Sequence, residues 1–269
     1  MRILSNQHTR RRVTFRCAGS LSNDMSTPTI KVFGSADELA QAAALHVLDA
    51  ARQAAALSGT FTLTLAGGST PKALYALLAS QPLRDQIDWP HVEIFFGDER
   101  TVPPDHADSN YLMARETLLS KVPIPPQSIH RMRGEIDPNE AAKEYGQLLK
   151  QRFGDDGGPD LILLGIGDDG HTASLFPHSQ ALTEQKHRCV ANLVPKLKTT
   201  RLTMTAPFMN RAREVVVLAA GASKAAVLRE VLEGPPDPQR LPIQMIAPTS
   251  ANLSFYLDAD AAGIHESND

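Results

Sequence analysis

The sequence predicts an α/β protein in which a mostly parallel sheet is covered by helices on both faces. Three observations predict this class. Short apolar segments of strand length alternate along the chain with longer segments of helical composition. The segment at residues 161–164 contains no polar residue, as is typical of a parallel strand buried on both faces. Glycine-containing connections follow several of these segments, where a strand must turn into a helix.

The predicted elements follow one another as strand–helix units. The first helix is predicted over residues 35–57, because Asp37 and Glu38 would lie in its first turn and Gly59 would end it. Further helices are predicted at residues 71–80, 110–120, 139–153 and 223–233. Strands are predicted at residues 29–33, 61–66, 92–96, 161–164, 201–205 and 214–220, with closing strands at 243–246 and 253–257.

The overall composition narrows the class of function. The 269 residues are 42% hydrophobic and 21% charged, with a net charge of −3, so no global field favours nucleic acid or an anionic membrane. No apolar segment approaches the roughly 20 residues of a membrane span. Cys17 and Cys189 fit neither a disulfide framework nor a metal site, which favours a reducing, cytoplasmic location. We expect one α/β domain over residues 29–269, as a monomer or a small homo-oligomer.

Residues 1–28 differ in composition from the rest of the chain. No acidic residue precedes Asp24, and five arginines are present: Arg2, Arg10, Arg11, Arg12 and Arg16. We expect a disordered tail or a start codon assigned too early, with Met25 as a natural start. An Arg-rich and Ser-rich organelle presequence is the alternative.

The connection after the strand at residues 161–164 carries the strongest functional signal. Its glycines allow a sharp turn, and His171 then follows Asp169 at the carboxyl end of a buried strand. Open α/β sheets place their chemistry at that edge. A histidine side chain titrates near pH 6.5, so His171 is predicted to accept and return a proton, with Asp169 orienting the imidazole. The nucleophile motif G-x-S-x-G is absent, which favours an activated water over a covalent intermediate.

A second connection has the features of a phosphate cradle. Gly67, Gly68, Ser69 and Thr70 lie between a predicted strand and a predicted helix, with Pro71 at the expected first helical position. Free N–H groups and hydroxyls at a helix N-terminus suit a phosphate. The segment is neither a Walker loop nor a dinucleotide-binding fingerprint, and an ordinary structural turn remains open.

Two further connections supply cations. Arg100 follows a predicted strand in a charged loop, where it would bind an anionic oxygen, and Asp98 would bind a sugar hydroxyl or hold Arg100 in place. Lys224 opens another helix and would point its charge at a phosphate. Arg201 is a weaker candidate of the same kind, and Lys196 and Lys198 are weaker still. Solvated loop residues are the alternative in each case, but together these groups predict a small phosphorylated metabolite as ligand.

Four segments, in order, resemble the 6-phosphogluconolactonase family: Leu-Ala-Gly-Gly-Ser-Thr-Pro at residues 65–71, Phe-Gly-Asp-Glu-Arg at 96–100, Gly-Ile-Gly-Asp-Asp-Gly-His-Thr-Ala-Ser-Leu-Phe-Pro at 165–177 and Gly-Ala-Ser-Lys at 221–224. The resemblance implies a three-layer α/β/α fold with a mostly parallel, Rossmann-like sheet, shared with glucosamine-6-phosphate deaminases and ribose-5-phosphate isomerases. It implies hydrolysis of 6-phospho-D-glucono-1,5-lactone to 6-phospho-D-gluconate, the second step of the oxidative pentose phosphate pathway. It implies no metal and no organic cofactor.

One departure from the family pattern and two rival functions stay open. His178 stands where the family often has glycine, which adds a titratable group and leaves the loop conformation in doubt. An amino-sugar phosphate deaminase would need an acid where Phe176 stands. A non-catalytic sugar-phosphate sensor would need a DNA-binding module, for which the N-terminal tail is too short.

Overall fold

The computed structural model describes residues 27–264 of the chain. Its strands are β1 (Thr29–Phe33), β2 (Phe61–Leu65), β3 (Val92–Phe96), β4 (Asp98–Arg100), β5 (Leu161–Gly165), β6 (Cys189–Val194), β7 (Thr199–Met204), β8 (Glu214–Ala219) and β9 (Leu253–Asp258). Its helices are α1 (Ala36–Ser58), α2 (Ser69–Leu78), α3 (Asn110–Ala114), α4 (Pro138–Phe153), α5 (Ala206–Met209) and α6 (Ala225–Glu233). The N-terminal expectations, including those on Cys17 and Met25, concern residues outside this range.

Six strands form a central parallel sheet in the spatial order β1-β9-β8-β5-β2-β3. The predicted parallel sheet is thereby confirmed. From β2 the chain moves outward to β3, and β5 then joins the other side of β2. The strand order therefore reverses between β2 and β5, which is where open sheets of this kind form their ligand crevice.

Both faces of the central sheet are buried, because side chains alternate between the faces along each strand. Leu161 and Leu163 of β5 pack in one core with residues of α1 and α2, whereas Ile162 and Leu164 pack in a second core with residues of α4 and α6. The result is the three-layer α/β/α arrangement. It explains why β5 has no polar side chain.

A second, smaller sheet has the order β4-β7-β6 and is antiparallel. This corrects two expectations: the charged residues 98–100 were expected to lie in a loop, and residues 201–205 were expected to form a strand of the parallel sheet. Gly97 alone separates β3 from β4; its N–H donates to Leu65 O (3.0 Å) and its C=O accepts from Met204 N (2.8 Å). Gly97 therefore joins the two sheets, and polar β4 is a strand because its acidic side chains find partners inside the protein.

The helix boundaries confirm some details and correct others. Ser35 caps α1, with its Oγ accepting from Glu38 N (3.2 Å), and Gly59 ends the helix at a φ of 76°, as predicted. Helix α2 begins at Ser69, so Pro71 is its third residue and not its first. The strand expected at residues 243–246 is wrong: Pro242–Met245 is a 3-10 turn. Its Ile243 N–H donates to Gly170 O (3.0 Å), so this turn supports the His171 loop.

Residues 27–264 show neither a candidate membrane span nor a candidate metal site. None of the helices in this range is both long and apolar enough to cross a bilayer. In the same range, no three His, Cys, Asp or Glu side chains are grouped so that they could hold a metal ion.

Candidate active site

The imidazole of His171 is held from three sides. Its Nδ1 lies 2.6 Å from Asp169 Oδ1, and its ring stacks on Phe176 with 4.2 Å between the ring centroids. A Cβ on Gly167 would lie 1.9 Å from the same Nδ1, so the ring takes the space that glycine leaves. A carboxylate beside Nδ1 favours the tautomer with the proton on Nδ1. The lone pair of Nε2 is then free to accept a proton.

Asp169 is an ionised carboxylate at neutral pH. Burial alone would raise its pKa, but hydrogen bonds from His171 and Lys196 outweigh burial, and the pKa of Asp169 lies below its usual value. The backbone N–H of His171 also donates to Asp169 Oδ1 (3.2 Å). The acid and the histidine therefore form one local unit within a three-residue turn.

The loop that carries this pair is fixed by several independent contacts. Gly170 has a φ of 79°, and a Cβ there would lie 2.7 Å from Leu241. Thr172 Oγ1 donates to Gly165 O (2.8 Å) at the end of β5. Ala173 has a φ of 47°, a left-handed conformation that costs about 1 kcal/mol for a non-glycine residue. The surrounding contacts hold it there.

Asp98 links the small sheet to the His171 loop. Its Oδ2 accepts from Ser174 Oγ (2.7 Å) and its Oδ1 accepts from Asn110 Nδ2 (3.0 Å), while the residue is only 8% exposed. Asp98 was expected either to bind a sugar hydroxyl or to hold Arg100 in place, but Arg100 donates through Nη1 to the backbone oxygen of Asp108. Asp98 thus orients the loop at the cleft edge.

Two arginines face each other across the small sheet. Arg100 of β4 and Arg201 of β7 are direct partners in the strand register. Burial, and then the positive charge of Arg100, lower the pKa of Arg201. Among the residues that the structure describes, the buried Nε of Arg201 has no hydrogen-bond partner. An anion placed between these guanidinium groups would neutralise their repulsion and give Nε a partner.

These groups line one cleft of about 280 Å³. Among the predicted site residues, the structure brings together in it Asp98, Arg100, Asp169, His171 and Arg201. Asp168, Ala173, Ser174, Phe176, Lys196 and Leu197 complete the lining. Arg201, the weaker cation candidate in the sequence, therefore lies inside the cleft.

The remaining predicted residues lie outside the cleft lining. Lys224 forms an ion pair with Asp168, which lines the cleft, and this hydrogen bond lowers the pKa of Asp168. A Cβ on Gly67 would lie 2.1 Å from Oδ1 of Asn110, and Asn110 is a residue that donates to Asp98. The turn that contains Gly67, Gly68, Ser69 and Thr70 therefore begins against Asn110. No side chain caps the N-terminus of α2.

A larger groove of about 840 Å³ lies elsewhere, between α4 and β6. Asp155 Oδ1 lies 3.3 Å from Lys150 and 3.8 Å from Arg188, whereas Nη1 of Arg188 has no hydrogen-bond partner among the described residues. Burial raises the pKa of the Cys189 thiol in this groove to about 12, so the thiol is unreactive at neutral pH. The smaller cleft holds the acid–base pair and is the better candidate site.

Two buried tyrosines support the site, and neither was singled out from the sequence. Tyr75 Oη accepts from Ala66 N (2.9 Å) and donates to Ala66 O (2.8 Å), where β2 ends. Tyr145 Oη accepts from Phe96 N (2.9 Å), where β3 ends. Burial raises the pKa of both phenols well above the usual value. Their only sequence signal is a tyrosine on an otherwise apolar helix face.

Two acidic groups with structural roles also escaped sequence reasoning. Glu99 accepts hydrogen bonds from Ser109 Oγ (3.0 Å) and from the backbone of Asn110 (2.7 Å), so it anchors the start of α3. Burial raises the pKa of Glu99 despite these hydrogen bonds. Asp258 accepts from Gly221 N (3.0 Å) and holds the connection that leads to Lys224. The sequence around both Glu99 and Asp258 is typical of ordinary polar loops, so it does not indicate these roles.

The fold and the cleft define a class: an α/β/α protein with a His–Asp pair at the carboxyl edge of a parallel sheet and two arginines on a small antiparallel sheet beside it. A family model described as glucosamine-6-phosphate isomerases/6-phosphogluconolactonase matches residues 34–255. The chain therefore belongs to this family, and the resemblance seen in the sequence motifs is confirmed.

Individual relatives agree with the family. The chain is similar to a 6-phosphogluconolactonase of Synechocystis sp., with 42% identity over 87% of this chain and 97% of that protein. It is similar to the human 6-phosphogluconolactonase, with 39% identity over 87% of this chain and 92% of that protein. The solved structure of 6-phosphogluconolactonase from Trypanosoma brucei superimposes with a TM-score of 0.78 and 32% identity, covering 88% of this chain and 98% of that chain.

Proposed function

We propose that the protein hydrolyses 6-phospho-D-glucono-1,5-lactone to 6-phospho-D-gluconate, the second step of the oxidative pentose phosphate pathway. The observation that carries this proposal is the cleft itself. It holds a histidine paired with an ionised aspartate, and two arginines with an unsatisfied donor. The names of the relatives from Synechocystis sp. and human, which are 42% and 39% identical to this chain, support the same reaction.

The substrate phosphate is assigned to the arginine end of the cleft. Arg201 Nε is the donor without a partner, and Arg100 supplies a second guanidinium beside it. Lys224 and the uncapped N-terminus of α2, with Ser69 and Thr70, stand next to this cleft and would complete the phosphate site. Lys224 would then break its ion pair with Asp168 and form one with the phosphate. Binding the phosphate there would orient the lactone ring in the cleft.

The chemistry is assigned to His171 and a water molecule. Nε2 of His171 takes a proton from the water as the water oxygen forms a bond to C1 of the lactone. The negative charge that develops on the carbonyl oxygen is met by backbone N–H groups of the glycine-containing loop. When the bond between C1 and the ring oxygen breaks, His171 returns the proton to the ring oxygen. Asp169 stabilises the imidazolium that forms between the two steps.

Phe176 favours hydrolysis over deamination or isomerisation. Those reactions need an acid–base group close to the histidine, and phenylalanine cannot transfer a proton. Here the phenyl ring stacks on the imidazole, with an interplanar angle of 19°. The position is therefore used to hold His171.

The test is an assay of the purified protein on freshly made lactone and, in parallel, on glucosamine 6-phosphate. A pH-stat or a coupled assay corrected for spontaneous hydrolysis would measure turnover. We expect turnover of the lactone only, and loss of kcat by roughly 10²–10⁴-fold in His171→Gln with little change in binding. Turnover of glucosamine 6-phosphate would support the deaminase instead. Tight binding without turnover of either would support a sensor.

A further inference from the structure

Lys196 reaches the acid–base pair from a different part of the chain. It lies in the turn Pro195–Leu197 that joins β6 to β7 of the small sheet. Its Nζ donates to Asp169 Oδ2 at 3.2 Å, although 72% of its side chain is exposed. Packing does not hold this side chain, so the carboxylate is what keeps it over the cleft.

The two oxygens of Asp169 have separate tasks. Oδ1 accepts from His171, at 2.6 Å from Nδ1 and 3.2 Å from the backbone nitrogen. Oδ2 accepts from Lys196. A carboxylate bound at both oxygens by different elements cannot rotate about its Cβ–Cγ bond without losing one partner. Lys196 therefore holds the carboxylate in the orientation that serves His171.

We propose that Lys196 is a positioning residue of the His171–Asp169 pair, which fixes Asp169 and moderates its attraction for the imidazole proton. The positive charge of Lys196 offsets part of the negative charge of Asp169. Without Lys196, the carboxylate would bind the imidazolium more strongly, and His171 would keep its proton to a higher pH. The consequence for catalysis rests on the proposed function, but the effect on protonation of the free protein does not.

The other charges around the imidazole stay in place when Lys196 is changed. The groups that face His171 from the two sheets and from its own loop are Asp98, Arg100, Asp168, Asp169 and Arg201. Asp168 is in turn paired with Lys224. Because Lys196 is largely exposed, its effect is reduced by solvent and by salt. We therefore expect a modest shift that depends on ionic strength.

The experiment compares three variants of the full chain with the wild type. Lys196→Gln removes the charge, and Lys196→Arg keeps it. Lys198→Gln is the matched control, because Lys198 is an exposed lysine of the same turn that does not line the cleft. The titration midpoint of His171 is measured by NMR in the free protein, and kcat and KM are measured against pH. Thermal unfolding checks that each variant is folded.

The proposal predicts a specific set of results. In Lys196→Gln at low ionic strength, the titration midpoint of His171 and the acid limb of the kcat profile both rise by roughly 0.3–1 pH unit. The shift shrinks at about 1 M salt. Lys196→Arg restores the wild-type midpoint, and Lys198→Gln leaves it unchanged. KM changes less than kcat, because Lys196 acts on Asp169 and not on the substrate.

Two results would overturn the proposal. One is an unchanged midpoint in Lys196→Gln. The other is a large rise in KM with unchanged kcat and midpoint, which would make Lys196 a substrate-binding cation. A midpoint shift in a protein that does not hydrolyse the lactone would support the positioning role and overturn the proposed function instead.

Discussion

Gly167 and His171 are so close that the space of one methyl group decides where the imidazole lies. A Cβ on Gly167 would be 1.9 Å from His171 Nδ1 and 2.9 Å from Asp169 Oδ1. Gly167 N also donates to His171 O at 2.8 Å, which closes the turn. The ring position thus depends on a residue that carries no functional group.

Gly167→Ala should displace the imidazole and separate it from Asp169. We expect kcat to fall by roughly 10²-fold, because a displacement of about 1 Å from the reactive geometry has that effect. Gly165→Ala is the matched control, since a Cβ on Gly165 would meet nothing within 4 Å. Steady-state kinetics of both variants, with circular dichroism to confirm folding, make the comparison. Equal activity in the two would contradict the packing argument.

Asp169→Asn should reduce activity and change the dependence of stability on pH. Loss of the carboxylate removes the group that sets the tautomer of His171, and we expect kcat to fall by roughly 10²–10⁴-fold. Because folding lowers the pKa of Asp169, the ionised form contributes stability above the usual carboxyl pKa of about 3.9. This contribution is lost as pH falls through the lowered value.

Thermal unfolding of the wild type and Asp169→Asn should therefore differ at pH 7 and converge as the pH falls below the usual carboxyl pKa of about 3.9. A difference that stays constant between these pH values would mean that the carboxylate charge does not stabilise the fold.

Arg201→Gln should weaken substrate binding more than it slows the chemical step. Loss of charge-assisted hydrogen bonds to a phosphate is expected to raise KM by roughly 10–100-fold. Arg213→Gln is the control, because Arg213 pairs with Asp160 next to the amino ends of β8 and β5, away from the cleft. A KM for Arg201→Gln within twofold of the wild type would place the phosphate elsewhere.

Tyr75→Phe should destabilise the protein although it removes a single oxygen atom. The change leaves the N–H and C=O of Ala66 buried without their partner, and we expect a loss of about 1–3 kcal/mol. Tyr111→Phe is the control, because among residues 27–264 the Tyr111 hydroxyl makes no hydrogen bond within the protein. Urea unfolding of both variants measures the difference. Equal stability of the two variants would show that the hydroxyl of Tyr75 is dispensable.

His178→Gly should stabilise the protein. His178 has a φ of 58°, in the left-handed region that favours glycine. We expect a gain of about 0.5–1 kcal/mol in the free energy of unfolding. His178→Ala keeps a Cβ and removes the imidazole, so it should give no such gain. If alanine stabilised as much as glycine, the backbone conformation would not be the cause.

The central sheet and half of the cleft were accessible to sequence reasoning because their signals are local. The apolar run of β5 and the glycines beside His171 each reflect a constraint within a few residues of the chain. Asp169 and His171 are two positions apart, so their pairing is also local.

The rest of the site depends on partners distant in sequence. Asp98 and Glu99 are charged residues that read as a solvated loop, yet they are buried because Ser174, Asn110 and Ser109 satisfy them. Arg201 lies in the cleft because β7 pairs with β4, about a hundred positions away in the chain, in an antiparallel sheet. The periodicity of neighbouring residues does not predict contacts between segments so far apart in the chain.

Gly97, whose N–H and C=O hydrogen-bond to different sheets, also has a consequence for selectivity. It ties the small sheet, which carries the arginines, to the central sheet, whose strand β5 leads to His171, and this opposes widening of the cleft by a hinge between the two sheets. The distance between the arginines and His171 would then select ligands by the distance between their phosphate and carbonyl groups. Compounds with one carbon fewer or more between phosphate and carbonyl would be held with the carbonyl out of reach of the imidazole.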